Sequence, residues 1–399
     1  MSRKGVIGID LGTESIKAVA LEAVPGEAVP RILGVGVALA KSMRKGSVIE
    51  PSEAASALRE TMDALEKTTG IKSADIFVSF GGTGLSFQKS KGTIAISRAD
   101  GEVTKEDAKR AMLTSENNIS RIQNREILHK IAINYRVDGE TPIHDPTGLS
   151  GVKLEVEVMF ITAFIQNLKN VLKTFEEADL DIEELFPSSL ATATAILERR
   201  EKEAGVILLD LGASTTSLII FEEGIPYSLE VVPWGGSHIT YDIAKGFKIN
   251  LDEAEKLKLN YGIVGSEVAR LKKDDMVYGN YSRKKLAEII EARMADIFDC
   301  VEKHLKKVER AGLLPGGIVM TGGGANLPGI ESLAKEYLKL PARVAYPENI
   351  GGFKDKIRNP AWATAVGVAL MALEKRESLS PFLRGRSGSL FKWLRAFLP

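Results

Sequence analysis

The sequence predicts an α/β fold of two related lobes, with an extra block inserted into the first. Three stretches carry that prediction. Val206 to Glu222, VILLDLGASTTSLIIFE, is an apolar run that breaks at Asp210-Leu211-Gly212, offers hydroxyls at Ser214, Thr215 and Thr216, and then resumes. That pattern is strand, tight turn, strand. Val6 to Glu22, VIGIDLGTESIKAVALE, repeats it without a gap: six of seventeen positions are identical, Val6, Ile7, Asp10, Leu11, Gly12 and Glu22 against 206, 207, 210, 211, 212 and 222. Matched flanks around a common turn mark an internal duplication. The third stretch, Gly316 to Ile330, GGIVMTGGGANLPGI, is a strand ending in Gly322, Gly323 and Gly324 ahead of a helix that begins after Pro328.

These motifs have a shared chemistry. A hairpin tip of glycine and small hydroxyl residues leaves backbone N–H groups free for an anion such as a phosphate. The carboxylates of Asp10 and Asp210 at the strand ends would repel that phosphate unless a cation, Mg²⁺ held through water, lies between them. Two such tips facing each other would clamp a nucleotide's phosphates from both sides. Consecutive glycines allow the backbone to approach a flat ligand closely.

The composition narrows the class. At 399 residues the chain exceeds one ordinary core and should hold two or more domains. Its 53 basic and 53 acidic residues cancel, which disfavours nucleic acid as a partner. One cysteine, Cys300, excludes an intrachain disulfide, and four scattered histidines offer no ligand-spaced pair. The start runs straight into a strand, so no signal peptide is expected, and no apolar stretch approaches the roughly 20 residues that span a bilayer. A cytoplasmic protein is expected.

In chain order, Arg31 to Leu39 reads as a strand, Pro51 to Thr69 as a helix with Ala55, Leu58, Met62 and Leu65 on one face, and Asp75 to Phe80 as a strand closed by Gly81-Gly82. Strands followed by a helix and a further strand suggest a sheet with helices on its faces. Residues 85–160 change character: a helix start at Thr104 to Asp107, the run Asn124 to Val137, a turn at Asp138-Gly139 and a strand from Lys153 to Ile161. A block of that length is expected to be a small inserted α/β domain. Asn167 to Ala178 is amphipathic, Leu190 to Leu197 is a helix rich in small residues, and the charged turn Glu198 to Gly205 marks a hinge between lobes. Beyond the second hairpin come a strand from Tyr227 to Pro233, a helix from Ser237 to Thr240 onward, and a helix from Leu251 to Tyr261 with Asp252 as N-cap. On that helix Glu255 and Lys258 share one face, ordinarily a surface salt bridge. Arg283 to Ala311 is a long core helix beside which Cys300 reads as an inert buried thiol.

The C-terminal segment has its own logic. Ser378 to Ser389 is a flexible linker by composition. In the ten residues after it, a helix would place Leu390, Phe391, Trp393, Leu394, Phe397 and Leu398 on one broad apolar face and Lys392 and Arg395 on the other. Such a helix suits the headgroup layer of an anionic membrane.

Two D-x-G hairpins and a late GGG-x-x-x-P motif resemble the actin, Hsp70 and sugar-kinase superfamily. Within it, NREILHKIAINYRVDG, HDPTGLSG-x-x-LE, VVPWGGSHITYDIAKGF, AEKLKLNYG and VMTGGGANLPGIESLA resemble the FtsA family of bacterial cell-division proteins, over nearly the whole chain. The resemblance implies an actin-like two-lobed ATPase fold of duplicated ribonuclease H-like cores. It implies a first-lobe core at 1–84 and 161–200, an FtsA-type inserted subdomain at 85–160, a second-lobe core at 201–240 and 312–377, and a second-lobe small subdomain at 241–311. It assigns Mg²⁺, through water, to Asp10 and Asp210, and ATP to Gly12, Thr13, Ser15, Lys17, Gly212, Ala213, Ser214, Thr215, Glu255, Lys258, Gly322, Gly323 and Gly324. The terminal helix would target the membrane. The implied function is an ATP-binding protein that polymerises on the cytoplasmic membrane at the division site and anchors the FtsZ ring, with the FtsZ tail, copies of itself, anionic lipids and other division proteins as partners. Two positions depart from the superfamily pattern: Ala213 stands where glycine is usual, and Ser188-Ser189 fall near the place of the Gln or Glu that orients water in actin and Hsp70. Hydrolysis is therefore expected to be slow at most. A PilM-like pilus-assembly protein and a small-molecule kinase are the alternatives.

Overall fold

The computed structural model describes residues 5–71, 74–119, 123–272 and 274–378; the predicted linker from residue 379 and the predicted membrane helix at 390–399 lie outside the described residues. The two duplicated stretches become two hairpins in two separate sheets. In the first, Val6–Leu11 pairs antiparallel with Ser15–Glu22, from Val6↔Leu21 to Leu11↔Ile16. In the second, Val206–Leu211 pairs with Thr216–Glu222 in the same register, from Val206↔Phe221 to Leu211↔Thr216. Each first strand also runs parallel to a later one, Asp75–Phe80 in one sheet and Ile318–Thr321 in the other. Strands with neighbours on both edges and layers on both faces must be apolar throughout. Val6, Ile7 and Ile9 are buried, and so are Val206, Ile207, Leu208 and Leu209.

The first sheet is ordered Ile182–Pro187, Asp75–Phe80, Val6–Leu11, Ser15–Glu22, Arg31–Leu39 and the short Gly351–Gly352. The helix Pro51–Thr69 covers one face, burying Ala55, Leu58 and Leu65, with Met62 partly covered. The opposite face is covered by Ala363–Ser378, whose Ala365, Val366, Val368, Ala369 and Ala372 share a core with Val6, Val19 and Leu21. This corrects the expected boundary. Residues 312–377 do not all belong to the second-lobe core: Gly351–Gly352 pairs with the first sheet, and the helix after it packs there too. That helix has small apolar side chains around much of its circumference, which signals burial without saying against which sheet.

The second sheet is ordered Ile225–Val232, Thr216–Glu222, Val206–Leu211, Ile318–Thr321 and Ala342–Val344. Beside it the helices Gly236–Phe247, Leu251–Tyr261 and Arg283–Lys307 pack together around Ile243, Leu257, Leu286 and Ile290. Two local expectations change. The charged segment 198–205 holds a short helix, Arg199–Ala204, whose Glu201 side chain reaches back to accept from the Glu198 N–H at 2.9 Å. The cap of Leu251–Tyr261 is Asn250, whose side chain accepts from the Glu253 N–H, so the acid at 252 stays in the first turn. Cys300 is free and only partly buried.

The inserted block is a three-stranded antiparallel sheet ordered Leu85–Ala95, Lys153–Phe164, Arg125–Val137, with the helix Lys105–Asn117 against it. It has its own core, including Val103, Ala111, Tyr135, Leu154 and Phe160. Thr104 caps the helix, and Asp107 completes a capping box while accepting from Ser97 Oγ; these hydrogen bonds hold its carboxyl at about 2.

A close helix crossing in the first lobe is at Gly367, where an added Cβ would lie 1.8 Å from the Ala191 carbonyl oxygen of the helix Ser188–Ile196. Helix propensity favours alanine over glycine by about 1 kcal/mol. Overpacking a dense core costs about 1–3 kcal/mol, and a 1.8 Å approach to backbone sits at the severe end. Gly367→Ala is therefore expected to lower stability by about 1–2 kcal/mol net in denaturant titration. A midpoint at or above wild type would mean that the two helices separate freely.

Candidate functional site

Both hairpin tips and the turn at Gly322 to Gly324 open on one cavity of about 460 Å³ between the lobes. Its lining brings together Asp10, Gly12, Thr13, Ser15 and Lys17 from the first lobe with Asp210, Gly212, Ala213 and Thr215 from the second. Glu255, Lys258, Gly322, Gly323 and Gly324 line it as well. Ser214 is outside that set; its hydroxyl donates to Thr13 Oγ1 at 2.8 Å, joining the two tips directly. Ser188 lines the cavity, whereas Ser189 is buried with an unpartnered hydroxyl among the described residues.

The two aspartates are the electrostatic centre. Asp10 Oδ1 accepts from Ser79 Oγ at 2.9 Å, and the same hydroxyl accepts the Leu11 N–H at 3.3 Å. Burial pushes the Asp10 carboxyl up, opposed by the Lys17 ammonium and the Ser79 hydrogen bond. Asp210 is pushed up to about 6, first by burial and then by the charge of Asp10; hydrogen bonds from Thr364 and Thr192, with Lys17, pull the other way. Two buried carboxylates, one of which raises the cost of ionising the other, leave a deficit of positive charge in the cleft. The deficit fits a hydrated divalent cation. No cluster of three or more metal-ligating side chains exists among the described residues, so the rest of such a cation's coordination falls to water and ligand oxygens.

The glycine turn is required by this packing. Gly322 has φ of 83°, and a Cβ there would lie 2.3 Å from Asp210 Oδ1. The second tip is strapped to the helix Gly236–Phe247: the Gly236 N–H donates to Gly212 O at 2.9 Å and the Ser237 N–H to Ala213 O at 2.7 Å. Glu255 and Lys258 are more than a surface pair. Lys258 Nζ donates to Glu255 Oε2 at 2.7 Å, Thr240 Oγ1 at 2.8 Å and Gly236 O at 3.1 Å, and its side chain is only 15% exposed. That network holds the start of the helix at the cleft wall. Ile239, Leu259 and Leu327 add apolar lining suited to a flat ring.

Three side chains at the aspartates escaped the sequence reading: Ser79, Thr192 and Thr364. Ser79 carried a usable signal, a lone hydroxyl at the end of an apolar strand ahead of Gly81-Gly82. The threonines sit in small-residue helices where nothing in the pattern points to a distant carboxylate.

Comparison with known proteins places this arrangement. The chain is 32% identical over 376 residues to the cell division protein FtsA of Bacillus subtilis (strain 168), covering 92% of this chain and 83% of that protein. The chain belongs to the FtsA family. Cell division protein FtsA of Borreliella burgdorferi is 31% identical, covering 94% of this chain and 93% of that one, and the Escherichia coli (strain K12) relative is 30% identical over 92% and 90%. Residues 207–367 match the family model "Cell division protein FtsA" and residues 82–162 that of the SHS2 domain inserted in FtsA. Among solved structures, the PilM-PilN type IV pilus biogenesis complex is similar with TM-score 0.70 at 19% identity, covering 93% of this chain and 99% of that one. MreB5 of Spiroplasma citri bound to ADP is similar with TM-score 0.55 at 14% identity, over 95% and 100%. The fold of this FtsA-family chain is thus the actin-like one its hairpins predicted, with the SHS2 insertion.

A raised carboxyl has a definite sign in stability. Asp210 binds its proton more tightly folded than unfolded, so its ionisation costs nothing below about pH 4, the ordinary value, and its full amount above about 6. Without ligand, Asp210→Asn is expected to gain stability over wild type as pH rises from 4 to 7, by on the order of 2–3 kcal/mol, measured as the difference in urea midpoints. A difference that stays flat over that range would contradict the buried-carboxylate account.

Proposed function

We propose that this chain binds ATP with Mg²⁺ between its lobes and, in the bound state, assembles into filaments on the cytoplasmic face of the membrane, where it anchors the FtsZ ring at the division site. The observation that carries the reading is the pair of buried aspartates at two duplicated hairpin tips facing one cavity. Free N–H groups at the tips suit phosphates, and Lys17 adds a cation beside Asp10. Asp10 and Asp210 would hold Mg²⁺ through water; the cation would neutralise the carboxylates and the phosphates together. The lining of Ile239, Leu259 and Leu327 beside Glu255 and Lys258 suits a base and ribose. The relatives named cell division protein FtsA support the division role, and the actin-like MreB5 bound to ADP supports the nucleotide.

ATP acts in this reading as a switch on lobe closure and assembly. Ser188 at the cleft wall is a poor residue for orienting an attacking water, so turnover is slow. Attachment in this reading uses the apolar side chains Leu390, Phe391, Trp393, Leu394, Phe397 and Leu398, with Lys392 and Arg395 as the cations for anionic headgroups. No helix among the described residues is long and apolar enough to cross a membrane. The likeness to the PilM-PilN complex favours a second reading, a pilus-assembly role, which a pull-down with FtsZ-tail and pilin-assembly peptides separates. A small-molecule kinase would need an acceptor pocket with a base and leaves the tail without a use.

The test compares the full chain with one truncated after Ser389 in liposome co-sedimentation with ATP and Mg²⁺, imaged for filaments. The full chain is expected to pellet as membrane-bound filaments and the truncation to stay in the supernatant. If both stay soluble and monomeric while ATP binds, the anchor-and-polymer reading is wrong.

A further inference from the structure

Asp10 and Asp210 stand at equivalent points of a duplicated hairpin, yet they are supported differently. Asp10 is held inside its own lobe, by Ser79 of the neighbouring strand. Asp210 is held across the cleft. Its Oδ2 lies 3.2 Å from Thr364 Oγ1 and 3.5 Å from Thr192 Oγ1, and the two hydroxyls are 2.8 Å apart. Thr364 belongs to the first turn of Ala363–Ser378, which shares a core with the first sheet, and Thr192 to the helix Ser188–Ile196, which packs on that helix and touches both sheets. Both threonines are buried. On the other side, Oδ1 abuts Gly322, so the carboxyl group has little freedom to turn.

The protons can be counted. An ionised carboxylate only accepts, and each threonine has one proton to donate. Thr192 has three acceptors in reach for its one proton, Ser188 O at 2.8 Å, Thr364 Oγ1 at 2.8 Å and Asp210 Oδ2 at 3.5 Å. With Asp210 ionised, Thr364, at 3.2 Å, is therefore the main donor to the carboxylate, and Thr192 supports it from behind. Thr192 is fully buried, whereas Thr364 also lines the cavity beside Asp210.

We propose that Thr364 and Thr192 are positioning residues: from the first lobe they orient the Asp210 carboxylate of the second, so that the cation site is complete only at one angle between the lobes. The inference rests on the Mg–nucleotide reading above. It makes lobe closure and cation binding one event, since opening the cleft withdraws the two hydroxyls that fix the carboxylate's orientation.

The test uses the full chain with Thr364→Val, which keeps the shape and removes the hydroxyl, and Thr364→Ser, which keeps the hydroxyl. ATP affinity is measured by calorimetry with Mg²⁺ and again with EDTA. Losing a hydrogen bond to a charged acceptor predicts that Thr364→Val weakens ATP binding about tenfold with Mg²⁺ and less than about twofold in EDTA. Thr364→Ser should lie near wild type. Thr192→Val, with the longer contact, should show the same split to a smaller degree, and it serves if Thr364→Val does not fold. An equal loss with and without Mg²⁺ would mean the threonines only hold the helices together, and no loss would mean they do not act on Asp210; either overturns the proposal. If wild type itself binds no ATP, the nucleotide reading fails and takes this inference with it. A binding wild type with an unchanged Thr364→Val leaves that reading standing and removes this one alone.

Discussion

Two carboxylates, Asp10 and Asp210, are buried at one cleft with too little positive charge between them, and much of this structure exists to keep them there. Neither can be moved to solvent without breaking a hairpin whose flanking strands are the centre of a sheet. Neither is neutralised by the protein, since Lys17 only partly offsets burial. A fold that maintains such an arrangement holds its electrostatic strain for a ligand. The hydroxyls of Ser79, Thr192 and Thr364, the absent side chain at Gly322, and the tip-to-tip hydrogen bond from Ser214 to Thr13 are all consequences of bringing the two acids together.

The lobes also meet away from the cleft. Tyr227, on the edge strand of the second sheet, has Lys89 Nζ 3.9 Å and the Arg310 guanidinium 4.5 Å from its ring centroid. Lys89 comes from the inserted subdomain and Arg310 from beyond the long helix of the second lobe, where it pairs with Glu222. Burial pushes the Lys89 ammonium down, so this contact sits in a partly dry seam. The insertion thereby touches the second lobe as well as the first.

Much of this was legible from residues alone. The duplicated hairpins were readable because turn chemistry and apolar flanks repeat together, and the pairing register bears the repeat out. The glycine run at 322–324 was readable because few other positions need three glycines. The helix Ala363–Ser378 was assigned to the wrong lobe because small apolar side chains report burial and not address; only Gly8 and Gly367, whose missing Cβ atoms admit the crossing, show where it docks. Thr192 and Thr364 stayed hidden because their partner is distant in sequence, 18 and 154 residues away. The cap at Asn250 was displaced by two residues onto Asp252, since both residue types cap equally well.

The most direct test of the central claim is a calorimetric titration of the purified full chain with ATP, in Mg²⁺ and in EDTA, alongside Asp10→Asn and Asp210→Asn. The account predicts one site per chain, tight with Mg²⁺ and weaker in EDTA, with both substitutions erasing the difference between the two conditions. Binding that is the same with and without Mg²⁺, or that ignores both aspartates, would contradict it.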